Sequence, residues 1–149
     1  MKTLFDPAVF EQTVSRVNGL QPSAARQWGK MTPAQALEHL ARALEMACGK
    51  GPQKQVWIGK LIGWAVKKNF VGEKPFSKNS PTAPEFIVHD EPGFDATKQR
   101  LVGAMRKFQS LGARGCDGHV HSFFGTMSGA EWGVMQYKHL DHHLRQFGA

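Results

Sequence analysis

At 149 residues and 41% apolar content, the chain has room for one domain with its own core, and residues 1–149 are read as a single helical domain. Two cysteines, Cys48 and Cys116, exclude a disulfide framework and point to a reducing, cytoplasmic setting. The formal charge of +7 favours anionic partners, but the lysines and arginines are scattered along the chain and no nucleic-acid motif accompanies them, so no nucleic-acid partner is expected.

The N-terminus MKTLFDPAVFEQ lacks the apolar run of a signal peptide. Asp6 followed by Pro7 predicts the start of a first helix, with Phe5 and Phe10 in hydrophobic-staple positions and Gly19 ending it after residue 18. Thr32-Pro-Ala-Gln35 is a capping box that opens a second helix. Ala36, Leu37, Leu40, Ala41, Leu44 and Ala47 keep the helical period, and Gly49 and Gly51 supply the stop. A third helix is predicted over residues 53–69, its apolar stripe formed by Ile58, Leu61, Ile62 and Ala65. Gly59, Lys60 and Gly63 interrupt the longest apolar run, residues 56–66, so no membrane partner is expected.

Residues 71–94, rich in Pro, Gly, Ser and Asn, predict a long irregular crossover, in which residues 85–89 are the one stretch suited to brief strand pairing. Asp95 is the predicted cap of a fourth helix over residues 96–111, closed by Gly112. After the Gly-rich stretch GARGCDGHVHSFFGTM, the capping box Ser128-Gly-Ala-Glu131 opens a last helix to about residue 147. The pattern predicts an all-α fold, a four-helix bundle with one additional helix and a long crossover loop. The tryptophans Trp28, Trp57, Trp64 and Trp132 are expected in the core, Trp28 and Trp132 also as walls of a pocket.

Three of the seven histidines fall within QYKHLDHHLRQF on the last helix. Residues four apart on a helix are about 40° out of line, so His139 and His143 share a face about one turn apart and can grip one divalent ion. His142 is a rival at i+3, but His143 keeps phase with Trp132, Gln136 and His139. His39, between Leu37 and Leu40, is the candidate third ligand from a facing helix. Glu38 and Asp141 point elsewhere by phase. Cys116, His119 and His121 form a Cys-x-x-His-x-His cluster, read mainly as a polar turn and otherwise as a second metal site or an outer contact. Cys48 is read as core filler.

The segments RQWGKMTPAQALEHLARAL and HLDHHLRQF, with HSFFGTMSGAEWG, resemble the DinB-like superfamily of helical-bundle metalloproteins, in a branch of unassigned function. The resemblance implies a divalent metal held by His39, His139 and His143, with His142 the bystander of the doublet. The run HHRGQ common in that superfamily reads HHLRQ here, so no role is carried over to Arg145.

Three imidazoles leave at least one coordination position open, as catalytic sites do, and all-nitrogen ligation suits Zn, Ni, Co or Fe(II). By the same resemblance, the expected function is a metal-dependent thiol S-transferase-like enzyme whose reacting sulfur comes from a small-molecule thiol cosubstrate. A metal-dependent hydrolase acting on another small substrate is a second reading. A non-catalytic metal-binding or dimerising bundle, with a homodimer as its assembly, is the third. Metal affinity is expected to fall as pH drops through about 6.5, where free imidazole gains a proton.

Overall fold

The computed structural model describes every residue except Pro52. Its elements are α1 (Pro7–Gly19), α2 (Pro33–Ala47), α3 (Trp57–Val71), a 3-10 turn (Pro84–Phe86), α4 (Phe94–Cys116), a hairpin of β1 (Val120–His121) and β2 (Gly125–Thr126), and α5 (Gly129–Gln146). The fold is mostly helical, as the periodicity predicts. Helices α1, α2, α4 and α5 pack on one another, with α2 against α4 the most extensive pairing, whereas α3 lies outside them against α5 and β2.

The start signals act as the sequence predicts. Asp6 Oδ1 accepts from the amides of Ala8 (2.8 Å) and Val9 (3.2 Å). The Thr32 hydroxyl accepts from Gln35 N at 3.2 Å while Gln35 Oε1 accepts from Thr32 N at 3.1 Å, and Ser128 and Glu131 repeat this reciprocal pair. These caps satisfy amides that have no partner within the helix. Burial then selects one stripe of each helix: Phe10, Val14 and Val17 from α1, Leu37, Leu40 and Leu44 from α2, Leu101, Met105 and Phe108 from α4, and Trp132, Leu140 and Leu144 from α5. Phe5 stacks on Phe108 at 4.6 Å between ring centroids.

Four expectations are corrected. Helix α4 begins one residue before Asp95, at Phe94, with Gly93 at the cap position and no side-chain cap bond. Gly112, at φ 63°, breaks the helical path where a stop was expected, but a further turn carries the element on to Cys116. Residues 85–89 pair with no strand; a 3-10 turn forms at Pro84–Phe86, and the hairpin lies in the Gly-rich stretch instead.

The largest correction concerns α3. It starts at Trp57, because the residues before it are tied to the hairpin loop: Val56 N donates to Ser122 O (2.8 Å) and Gln55 Nε2 to Phe123 O (2.8 Å). Its inner face is Gly59, Gly63, Val66 and Phe70, while the predicted stripe of Ile58, Leu61 and Ile62 is exposed, together with Trp57 and Trp64. The two glycines explain the inversion. A Cβ at either would stand 2.3 Å from the Phe123 carbonyl oxygen, so only a helix face without side chains can approach the hairpin this closely.

Candidate metal centre

Helix α2 presents His39 from its middle, and α5 presents His139 and His143 one turn apart. The three rings meet, with centroids 4.7 Å apart for His39 and His139, 5.0 Å for His39 and His143, and 5.1 Å for His139 and His143. One nitrogen of each lies within 4.8 Å of the others, a geometry that could hold a metal ion. Among the described residues no other group of three histidine, cysteine or acidic side chains does so.

Outer contacts prepare two of the three rings. The Nδ1–H of His39 donates to the Phe86 carbonyl at 3.1 Å, and that of His143 donates to Gln146 Oε1 at 2.8 Å. Gln146 is itself fixed by donating Nε2–H to Trp28 O at 2.9 Å. Protons held on Nδ1 leave both Nε2 lone pairs open toward the meeting point, the arrangement that orients metal-binding imidazoles. The third ring closes the cluster, with His139 Nε2 at 2.7 Å from His39 Nε2. Two lone pairs at that distance repel, so His139 Nε2 carries a proton there and donates it to His39.

To offer Nε2 to an ion, His139 would shift that proton to Nδ1, and the rings would adjust from nitrogen separations that now run from 2.7 Å to within 4.8 Å. Burial keeps each ring from taking a second proton. It lowers the pKa of His39, where the Arg42 charge adds to the effect, and holds that of His139 well below the ordinary imidazole value, where a proton on any neighbouring imidazole would oppose a second one. Burial likewise pushes His143 down to about 3. The rings are neutral at physiological pH, the state in which an imidazole can ligate a metal.

The long crossover completes the site. Its 3-10 turn supplies the Phe86 carbonyl, and its far end is pinned to the start of α2, where the Thr32 hydroxyl donates to Glu91 at 2.9 Å and Gln35 Nε2 to Asp90 O at 3.4 Å. Between crossover, α3 and hairpin opens a cavity of about 800 Å³, with the three histidines in its wall. The remaining walls are chiefly apolar, with Phe70, Phe76, Phe86, Phe123 and Phe124 prominent, and among the described residues the one acidic side chain on them is the exposed Glu85. Glu38 is held by Arg42 (2.7 Å) and Arg100 (2.7 Å), and Asp141 by Arg16 (2.8 Å) and Arg145 (2.9 Å), so both point away as their helical phase predicts.

His142 also faces the cavity, but it leans on Trp28 and Phe76 (ring centroids 5.8 and 6.0 Å) and lies outside the three-nitrogen group. The Cys-x-x-His-x-His cluster does not assemble. Cys116 is buried, its thiol raised to about 11 by burial, and His119 Nδ1–H donates to the Ala47 carbonyl at 2.8 Å. Cys48, raised to the same value by burial, is equally unreactive. Trp132 is fully buried and Trp28 half-buried, while Trp57 and Trp64 are not core residues at all.

One contributor, Gln146, was missed in the sequence, and a second, His121, was read there as part of a polar turn with an outer contact as an alternative. Gln146 stands three residues after His143, a spacing that could have revealed it. His121 faces the cavity and accepts from the amides of Phe123 (3.0 Å) and Phe124 (3.2 Å) at Nδ1. Its proton is thereby placed on Nε2, the opposite tautomer to that of His39 and His143. Burial lowers its pKa to about 4, so it stands in the cavity wall as a neutral hydrogen-bond donor.

Fold and site together define a helical protein in which three histidines from two helices can hold a metal ion beside an apolar cavity. A family model described as "Protein of unknown function (DUF1569)" matches residues 7–149. The chain belongs to that family. No match was found among curated proteins or solved structures.

Proposed function

We propose that the protein binds one divalent metal ion through His39, His139 and His143 and acts as a metal-dependent thiol S-transferase-like enzyme on small, largely apolar molecules. The observation that carries this reading is the convergence of three neutral imidazoles on the wall of a large apolar cavity. A structural ion is ordinarily enclosed by four protein ligands, whereas three ligands beside open space leave a position for substrate. When bound, the ion supplies Lewis-acid activation, lowering the pKa of a coordinated thiol. Zn, Ni, Co and Fe(II) all suit the ligand set.

The chain's own residues bind and orient. The aromatic walls exclude water and seat an apolar body, and His121 Nε2–H is available to an acceptor atom on the substrate. Cys116 is buried and Cys48 half-buried, both with thiols raised to about 11, so the reacting sulfur belongs to a cosubstrate. The absence of a buried carboxylate from the cavity wall, among the described residues, disfavours hydrolysis, which would call on a general base there. The resemblance to DinB-like bundles, whose characterised members include thiol-dependent transferases and isomerases, supports the same reading.

The test is turnover. Metal-loaded protein incubated with an alkylating electrophile and each of several cellular thiols consumes one thiol in a metal-dependent way, and His139→Ala abolishes the reaction. Metal binding with no turnover on any thiol leaves a non-catalytic binding module, and ester hydrolysis without thiol identifies a hydrolase.

A further inference from the structure

The positive charge is concentrated in one segment. Residues 50–78 contain seven lysines against one glutamate, a net +6 of the chain's +7. That segment is α3 with its two flanks, and α3 carries the exposed apolar face. Trp57 is 73% exposed, Leu61 62%, Trp64 70%, and Ile58 and Ile62 45% and 47%. At 100° per residue, Trp64, Trp57, Leu61, Ile58 and Ile62 occupy one arc of about 160°, opposite the Gly59/Gly63 face fixed to the hairpin. Helix α3 contains no acidic residue. Lys60 and Lys68 are exposed on α3, and Lys54 and Lys74 are exposed in its flanking sequence, while Lys78 lies over the Trp28 ring, Lys50 pairs with Glu45 and Lys67 with Glu131.

We propose that α3 is a membrane-surface helix, which lays its Trp57/Leu61/Trp64 face into the headgroup region of an anionic bilayer while the surrounding lysines engage lipid phosphates and carboxylates. Tryptophans on an apolar face, with Lys68 within that face and Lys60 at its edge, form a composition that partitions to an interface, and basic side chains attract anionic lipid. A second copy of this chain is the poorer occupant, since it would set the exposed Lys60 and Lys68 of each face against those of the other. No helix among the described residues is long and apolar enough to cross a membrane, so the contact lies on the surface, contrary to the expectation of no membrane partner. The inference is independent of the metal. It also places the cavity mouth near lipid, since Val56, Trp57 and Ile58 line that cavity.

The experiment is vesicle co-sedimentation of the full chain, with tryptophan emission read in parallel. Vesicles of phosphatidylcholine containing roughly one third phosphatidylserine should bind the protein at least about tenfold more tightly than phosphatidylcholine alone, with a blue shift. Raising salt to about 0.5 M should weaken that binding. The double variant Trp57→Ser/Trp64→Ser, at two exposed positions, should keep the helical circular dichroism and lose at least about tenfold in binding. Lys60→Glu/Lys68→Glu keeps the apolar face and should lose the preference for anionic lipid. No binding to anionic vesicles overturns the inference, as does equal binding to neutral ones. A wild-type dimer in sedimentation equilibrium that the tryptophan variant converts to monomer also overturns it, assigning the face to a second copy.

Discussion

The proposed ligand role of the three histidines rests on each being neutral, and neutrality follows from burial rather than from residue type. In the unfolded chain each imidazole takes a proton near pH 6.5. In the folded, metal-free chain burial depresses His39 and His139, sets His143 to about 3 and sets His121 to about 4. Above about pH 6.5 neither state is protonated and stability is independent of these groups. Below it the unfolded state binds protons that the native state refuses, so the stability present at neutral pH is lost as pH falls from about 6.5 toward 4, by up to about 1.4 kcal/mol per pH unit for each histidine. Urea midpoints of the metal-free protein should fall between pH 7 and 5; a flat profile would mean the rings are not held neutral inside. The same depression moves the loss of bound metal to lower pH than the value of about 6.5 expected for exposed imidazole.

At this scale much was legible. The helical period places positions 139 and 143 in phase, and His39 borders the apolar stripe of α2. The Phe86 carbonyl was not legible, because a backbone acceptor delivered by an irregular crossover leaves no mark in residue type. The opposite tautomer of His121 depends on two hairpin amides and was equally hidden.

Among the elements, those with strong local chemistry were readable and α3 was not. Reciprocal capping at Thr32/Gln35 and Ser128/Glu131 is local, so sequence determines it. The orientation of α3 depends on a tertiary contact that favours absence of side chains, and hydrophobic periodicity therefore selected the wrong face. Gly59 and Gly63 look like weak points of a helix but are its docking surface. Gly63→Ala should cost at least about 1 kcal/mol, since its Cβ would stand 2.3 Å from a backbone carbonyl. Gly103→Ala, on the exposed side of α4 with nothing within 4 Å of its Cβ, should instead stabilise by about 0.5–1 kcal/mol. Chemical denaturation of both variants checks the pair; similar effects at the two sites would contradict the close-approach account.

On the scale of the whole molecule, the mutually packed helices serve as a frame, and the crossover, α3 and hairpin enclose the cavity. The frame brings positions 100 and more residues apart to one point, and the crossover, pinned at Thr32 and Gln35, closes the cavity over them. Composition gave the size of the domain and its helical class but concealed the asymmetry of charge, since a total of +7 does not tell where the lysines lie. The central claim is that this frame exists to present three nitrogens to one ion. Elemental analysis of protein purified without a metal-binding tag tests it most directly. The account predicts about one divalent first-row ion per chain, lost in His139→Ala and retained in His142→Ala; retention of stoichiometric metal after His139→Ala, or its loss after His142→Ala alone, would contradict it.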